Sequence, residues 1–199
     1  EAIEVYEEME TIGALQGRGA EYYQKLGYAL QKNKKYAEAI DAYLKADTLK
    51  PDNIWNNRHL AICYRLNRNY QAALSYYKKV EEATPEDTNV IFHIGSCLAE
   101  LGQYEEAANY FFKLDFIESN CIKAWRGIGW CSFISRKYEQ AMKYYEKIIE
   151  QKPLAIDYMN AGHVAWTMGD IQKAAALYGK SITANGNRER FLEMFRKDK

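Results

Sequence analysis

The residues of this chain that could carry chemistry are its cysteines and histidines, because thiols and imidazoles bind metals and act as nucleophiles or bases. Three of the four cysteines lie 34 residues apart, at Cys63, Cys97 and Cys131. The histidines are His59, His93 and His163. No close-spaced set of cysteine, histidine and carboxylate around them resembles a metal site, so we predict neither a metal nor a cofactor.

The motifs of common enzyme classes are absent from the sequence. It contains no phosphate-binding glycine loop, no G-x-S-x-G turn and no H-E-x-x-H helix. Adjacent acidic residues such as Glu105 and Glu106 fall on a predicted outer helix face, where we expect solvent to surround them. The sequence therefore predicts a protein that is not an enzyme.

The composition combines a balanced charge with a large apolar content. Apolar residues make up 48% of the chain, and its 27 basic residues are matched by 27 acidic ones. Because no overall positive field would hold a polyanion, we predict no nucleic acid partner. No stretch approaches the roughly 18 consecutive apolar residues that a membrane helix needs, so we also predict no membrane insertion.

The spacing of the cysteines belongs to a repeat that runs through the chain. Tyrosines recur every 34 residues, at Tyr36, Tyr70, Tyr104 and Tyr138. A ladder of aromatic residues keeps step with them, at Tyr43, Tyr77, Phe111, Tyr145 and Tyr178. Within one repeat, Tyr36, Ala39, Ile40 and Tyr43 have the spacing of a single face of an amphipathic helix. Each repeat therefore contains a predicted amphipathic helix whose apolar face includes one residue of the aromatic ladder.

A second helical pattern precedes each of these helices. A small residue recurs at its centre, at Gly27, Ala61, Gly95, Gly129 and Gly162. Because a missing or minimal side chain lets two helices approach closely, we predict a helical hairpin with its closest contact at this position. One hairpin cannot bury its apolar face alone, so the hairpins must stack.

The stretches WRGIGWCS (125–132), YYQKLGYAL (22–30) and VIFHIGSCL (90–98), with the ladders that follow them, resemble the tetratricopeptide repeat family. The resemblance covers nearly the whole chain. It implies an all-α protein, a right-handed α-solenoid of stacked antiparallel helix pairs. It also implies a scaffold or adaptor for protein–protein interaction that has no catalytic activity.

The repeat pattern divides the chain into five units with an additional segment at each end. We predict the repeats at 20–53, 54–87, 88–121, 122–154 and 155–188. Residues 1–18 are predicted to hold the second helix of a truncated preceding repeat and a connector, because residues 2–9 align with residues 39–46. Residues 188–199 are predicted to form a C-terminal capping helix.

The resemblance also explains the regular spacing of the three cysteines. The family prefers a small residue at this position, so we interpret Cys63, Cys97 and Cys131 as buried packing residues. Cys121 falls in a predicted turn between repeats, where we expect an accessible thiol. Because free thiols persist in reducing compartments, the sequence favours a cytoplasmic location, with a cell-envelope compartment as the alternative.

In this family, one stripe of the first helix of each repeat lines a concave groove that contacts ligands. Carried onto this sequence, the stripe predicts a peptide-binding groove formed by Tyr28, Trp55, Arg58, Arg65, Phe92, Lys123, Arg126, Trp130, Phe133, Met159, His163 and Trp166. Three of the four tryptophans belong to it, whereas Trp125 falls at a packing position. Aromatic residues together with arginine are the composition of binding hot spots.

We therefore predict that the groove binds a peptide segment of mixed hydrophobic and acidic residues, with tryptophans as its apolar anchors. A structural or assembly module of a larger protein is an alternative, in which the chain's own flanking sequence or a second copy fills the groove. An RNA-binding helical repeat is a more remote alternative, because the net charge is zero. The stripe lacks asparagine where family members clamp chaperone C-terminal tails, which argues against such tails as partners.

Overall fold

The computed structural model describes residues 19–197, and all regular secondary structure in that range is α-helical. The helices are α1 (Ala20–Lys32), α2 (Tyr36–Leu49), α3 (Ile54–Leu66), α4 (Tyr70–Ala83), α5 (Thr88–Glu100), α6 (Tyr104–Ile117), α7 (Ile122–Ile134), α8 (Tyr138–Ile149), α9 (Ala155–Thr167), α10 (Ile171–Asn185) and α11 (Arg188–Lys197). The helix predicted within residues 1–18 lies outside the described residues. Among those described, no helix has the length and apolar content needed to span a bilayer.

A residue in the left-handed backbone conformation follows the first helix of every repeat. These residues have φ between 60° and 84° and are Lys34, Arg68, Gly102, Arg136 and Gly169. Glycine adopts this conformation without a steric penalty, so Gly102 and Gly169 end their helices at little cost. The three basic residues make the same turn against the preference of an L-residue. The same turn therefore forms with or without glycine, so the repeat architecture determines its geometry and the residue at that position does not.

Consecutive helices pack against one another within two compact units. The N-terminal unit ends at Leu101 and contains the hairpins α1–α2 and α3–α4, followed by α5. The C-terminal unit begins at Gly102 and contains α6, the hairpins α7–α8 and α9–α10, and α11. The predicted fold class, an all-α helical repeat of α-solenoid type, is confirmed.

The closest packing in a hairpin joins an aromatic ring of the second helix to a small residue of the first helix. A Cβ atom added to Gly27 would lie 2.8 Å from the ring of Tyr43, which has no exposed surface. One added to Gly162 would lie 2.5 Å from the ring of Tyr178. Both distances are far below van der Waals contact, so only glycine fits.

The same aromatic rings also contact the helix that follows their hairpin. His59 of α3 stacks on Tyr43, with ring centroids 5.6 Å apart. His93 of α5 stacks on Tyr77 in the same way, at 5.5 Å. After the last hairpin, Phe195 of α11 lies edge-on to Tyr178 at 6.1 Å. Each ring therefore couples its own hairpin to the next element.

The cysteines are all free and buried. Burial raises the pKa of the Cys63 thiol to about 12 and that of Cys97 and Cys131 to about 11, so these thiols are unreactive at neutral pH. The prediction that Cys121 is accessible is wrong. Cys121 is only 5% exposed and lies directly before α7, at the position that begins the helix.

Substitution of Gly27 by alanine tests the contact between glycine and the aromatic ring. The added methyl group would collide with the fully buried Tyr43 ring, so we expect Gly27→Ala to destabilise the protein by roughly 1–3 kcal/mol despite alanine's better helix propensity. The measurement is the urea concentration at which half of the protein is unfolded.

Gly179, in the interior of α10, is the matched control because no atom lies within 4 Å of its added Cβ. Gly179→Ala should stabilise the protein by about 0.5–1 kcal/mol. If the two substitutions shift the midpoint in the same direction, the ring contact does not set the spacing of the hairpin.

Candidate functional site

The structure places the residues of the predicted groove in two groups. The N-terminal unit holds Tyr28, Trp55, Arg58, Arg65 and Phe92. The C-terminal unit holds Lys123, Arg126, Trp130, Phe133, Met159, His163 and Trp166. In each group, one arginine forms an ion pair with an aspartate of the chain.

Two of the predicted residues meet at a cleft on helices α1 and α3, which we call the aromatic cleft. It has a volume of about 360 Å³ and is lined by Glu21, Gln24, Lys25, Tyr28 and Trp55. The two rings lie 6.3 Å apart between centroids, and each side chain is about two-fifths exposed, at 41% and 42%. Large aromatic side chains that remain this exposed next to a cleft form a ready contact surface for an apolar group.

His59, which the sequence analysis did not assign to the groove, supports both rings of the cleft. Its centroid is 4.0 Å from that of Trp55 and 5.6 Å from that of Tyr28. On α3, Trp55 and His59 are separated by four residues and therefore share a face. That spacing is the sequence signal that could have identified His59 as a positioning residue.

A hydrogen bond fixes the orientation of the His59 ring, and burial keeps the ring neutral. Its Nδ1 lies 2.8 Å from Oε1 of Gln31, which also accepts a hydrogen bond of 3.0 Å from the Tyr43 hydroxyl. Because an amide oxygen only accepts, Nδ1 carries the proton. Burial, with smaller contributions from Arg58 and Lys32, lowers the pKa of His59 to about 4. The imidazole is therefore neutral at physiological pH.

The charges around the aromatic cleft have a positive excess. Lys25 lines it, and the Lys32 ammonium lies 5.0 Å from the centre of the Tyr28 ring, whereas Glu21 is the acidic residue of the lining. The two predicted arginines of this unit make contacts inside the protein. Arg58 pairs with Asp87 at 2.9 Å, and Nε of Arg65 donates to the Tyr77 hydroxyl at 3.4 Å. The lysines are thus the cations nearest to a ligand in the cleft.

Asp87 links Arg58 to the start of α5. Its Oδ1 accepts hydrogen bonds from the backbone N–H groups of Asn89 and Val90. Burial acts to raise the pKa of Asp87, but these hydrogen bonds and the Arg58 guanidinium outweigh it and hold the pKa below its ordinary value. The ion pair therefore joins α3 to the N-terminus of the next first helix.

Arg126 makes the equivalent contact in the C-terminal unit. Its Nε and Nη2 donate to the two carboxylate oxygens of Asp157, at 2.8 and 2.7 Å. The Asp157 side chain is only 1% exposed and also accepts from the backbone N–H of Leu154 at 2.7 Å. A buried carboxylate of the chain thus pairs with Arg126 in bidentate fashion, and the contact of this guanidinium with a ligand stays a prediction.

The remaining residues of the C-terminal group do not form one accessible surface. Trp166 is 58% exposed, and Trp130 is half-buried with its ring 6.1 Å from that of Phe133. Met159 is fully buried, so its place in the predicted groove needs correction. Lys123 lies 3.2 Å from the carboxylate of Glu118.

His163 contacts the last helix of the chain. Its Nδ1 lies 2.9 Å from the Tyr178 hydroxyl, and its ring lies 5.1 Å from that of Phe195 in α11. Trp125, by contrast, is buried and donates from its indole nitrogen to Asp115 at 2.6 Å, which confirms its assignment to packing. Among the described residues, no three histidine, cysteine or acidic side chains are placed to hold a metal ion.

Family models of the tetratricopeptide repeat match residues 20–53, 122–153 and 158–188, and a second such model matches residues 65–131. Among solved structures, YrrB, a repeat protein of this kind with an unusual peptide-binding site, has a TM-score of 0.74 at 20% identity, over 94% of this chain and 97% of that one. MamA from Desulfovibrio magneticus RS-1 has a TM-score of 0.78 at 16% identity, over 84% and 96%.

A tetratricopeptide repeat protein from Parabacteroides merdae has a TM-score of 0.72 at 20% identity, over 98% of this chain and 84% of that one. No curated protein matches the sequence significantly. Identities this low show a common fold and leave the ligand to be argued from the residues of this chain.

Neutralising the buried carboxylate of Asp157 tests the ion pair with Arg126. The carboxylate is 1% exposed and accepts three hydrogen bonds, whereas the Arg126 side chain is 35% exposed and keeps access to solvent, so we expect Asp157→Asn to cost about 1.5–3 kcal/mol of unfolding free energy. The control is Glu146→Gln, whose pair with Lys173 is close at 2.6 Å but half exposed, and which should cost less than about 1 kcal/mol. Equal losses in urea titrations would show that burial does not decide the strength of these pairs.

The pH dependence of stability tests the neutral state of His59. Between pH 6.5, its ordinary pKa, and about pH 4, its pKa in the fold, the unfolded chain binds a proton that the folded chain does not. The stability that neutral His59 contributes is therefore complete above pH 6.5 and is lost as the pH falls towards 4.

We expect the urea midpoint of the wild type to fall more steeply over this range than that of His59→Gln, which has no titratable group at this position. Parallel curves for the two proteins would contradict the burial of a neutral imidazole.

Proposed function

The chain belongs to the tetratricopeptide repeat family, and from that membership we propose that it is a non-catalytic protein-interaction module that binds a peptide segment at the aromatic cleft. The observation that carries this proposal is the pair of part-exposed rings of Tyr28 and Trp55 beside a cleft of about 360 Å³. Exposed aromatic rings of this size are unfavourable in water and gain most when an apolar side chain covers them.

The contacts that hold the Tyr28 and Trp55 rings in place favour binding of a ligand with little rearrangement. His59 contacts both rings and is anchored through Gln31 to the buried Tyr43. A surface that is already ordered loses little conformational entropy when a ligand binds. The cleft therefore has the properties of a preformed site.

The charges favour a ligand that carries an acidic group next to its apolar anchor. Lys25 and Lys32 lie at the cleft. Of the arginines predicted for this role, Arg58 pairs with Asp87 and Arg65 donates to the Tyr77 hydroxyl. We propose that a hydrophobic side chain enters the cleft and that a neighbouring carboxylate approaches Lys25. Because this lysine is exposed, the ionic contribution is small and weakens with salt.

The similarity to YrrB agrees with a peptide ligand, since that protein has a peptide-binding site on the same fold. The free, buried thiols agree with a reducing compartment, for which we propose the cytoplasm.

A structural or assembly role is the alternative, and the C-terminal unit favours it. There Phe195 of α11 covers His163, which the sequence assigned to the ligand-binding surface. A helix of the chain thus already occupies part of that surface. In this alternative, a flanking sequence or a second copy of the chain would occupy the aromatic cleft as well.

Selection from a random peptide display library tests the proposal directly. We expect enriched peptides to share one large apolar residue with an acidic neighbour. A synthetic consensus peptide should bind the wild type, and Trp55→Ala should weaken its Kd about 30-fold, equivalent to ~2 kcal/mol, because the anchor loses its aromatic wall.

Trp166→Ala is the matched control, since it removes a tryptophan that is also exposed but lies in the other unit. Its Kd should remain within a factor of two of the wild type. Failure to enrich any peptide, or equal binding by wild type and Trp55→Ala, would overturn the assignment. A second copy as the occupant would appear as a dimer in sedimentation that Trp55→Ala dissociates.

A further inference from the structure

A second pocket lies in the C-terminal unit, and its lining residues are outside the predicted groove. It has a volume of about 280 Å³ and is formed by residues of α6, of the end of α7 and of the start of α8. Ala108 and Phe112 of α6 and Ser132 of α7 are part of its wall. None of these residues belongs to the stripe on which the proposed peptide site rests.

The repeat itself explains why there is space at this position. In three of the other repeats, the residue that corresponds to Ala108 is large: Ile40, Leu74 and Met142 stand at the same place in α2, α4 and α8. The last hairpin has Ala175 there, in α10, which precedes α11 rather than the first helix of a further repeat. Ile40 and Met142 are buried there, so their side chains fill the interior. Only in α6, among these four helices, is the side chain reduced to a methyl group.

The facing position is also reduced in size. Ser132 of α7 corresponds to Leu30, Tyr64 and Leu98 in the first helices of the N-terminal unit. Where α9 carries the small Ala165 at this position, the preceding helix supplies Met142. At Ala108 and Ser132 both members of the pair are small. Because neither side chain is large, the space between them remains open and forms part of the pocket.

The wall of this pocket is polar and can both donate and accept hydrogen bonds. The Ser132 hydroxyl, in a residue only 2% exposed, donates to Oε1 of Gln140 at 3.0 Å. This bond fixes the Gln140 amide and leaves its two N–H groups available to a ligand. Asn109 adds a second amide to the lining.

Phe112 contributes an aromatic wall whose orientation is fixed. Its ring is edge-on to Tyr144, with centroids 5.9 Å apart. At the mouth, Lys137 and Glu105 lie 3.6 Å apart and neutralise each other. The pocket thus combines amides, a hydroxyl and one aromatic face without a net charge.

We propose that this pocket binds a neutral, hydroxyl-rich ring of the size of one monosaccharide. Sugar hydroxyls donate and accept hydrogen bonds, which matches a wall of two amides and a serine, and the C–H face of a sugar packs on an aromatic ring. The volume of about 280 Å³ lies below the ~300–1,000 Å³ of pockets for drug-sized ligands, so one ring fits. The cancelled charges at the mouth disfavour an ionic ligand.

The experiment is saturation-transfer NMR of the whole chain with glucose, galactose, mannose, N-acetylglucosamine and myo-inositol at millimolar concentration. We expect at least one of these probes to give a transfer signal with the wild type. Ala108→Met gives α6 the residue that α8 has at the corresponding position, Met142, and its side chain should fill the pocket. The transfer signal should then be abolished, and the variant should unfold at an equal or higher urea concentration because the cavity is filled. Ala176→Met, on an exposed face of α10, is the matched control and should retain the signal.

Ser132→Ala keeps the proposal testable if Ala108→Met fails to fold. It removes the hydroxyl and releases the Gln140 amide while leaving the volume nearly unchanged, so the signal should fall at least fivefold. No signal from any of the five probes, or a signal that persists in Ser132→Ala or in a folded Ala108→Met, overturns the proposal. Because none of these residues touches the aromatic cleft, either result leaves the proposed peptide site unaffected.

Discussion

The hairpins of this protein depend on the contact between an aromatic ring and a residue with almost no side chain. Tyr43 is fully buried and lies where the Cβ of any larger residue at position 27 would be. Protein interiors are packed at the density of organic crystals, so the thickness of the ring determines how far apart the two helices lie. Because the same ring also contacts the next helix, the contact determines the stacking of hairpins as well as their internal spacing.

The aromatic cleft grows out of this contact rather than being added to it. Tyr43 stacks on His59 and shares the acceptor Gln31 with it, and His59 in turn supports Trp55 and Tyr28. The exposed rings are therefore the outer end of a packed stack whose inner end is core. A substitution of Tyr43 would therefore change the positions of the exposed rings through these direct contacts, without any conformational change elsewhere.

The elements that the sequence predicted correctly depend on residues close together in the chain. The helical face of Tyr36, Ala39 and Ile40 is a matter of spacings of three and four, and the hairpin contact at Gly27 recurs at a constant period. The ion pair of Arg126 depends instead on Asp157, which is 31 residues away at the start of the next hairpin. A stripe read from helical geometry shows which residues share a face, but it does not show which of their charges the protein itself neutralises.

In a repeat protein, the informative unit is therefore a pair of positions that face each other across two helices. Arg58 and Arg126 occupy the same repeat position, two repeats apart, and each pairs with an aspartate at the start of the next first helix: Asp87 directly before α5 and Asp157 in the first turn of α9. Ala108 and Ser132 form another pair, and what distinguishes it is that neither member is large. Taken singly, an alanine or a serine in a helix is unremarkable, because another repeat compensates for a small residue with a large neighbour. Because neither Ala108 nor Ser132 is large, a polar pocket remains beside them, and packing alone supplies no reason for it to persist.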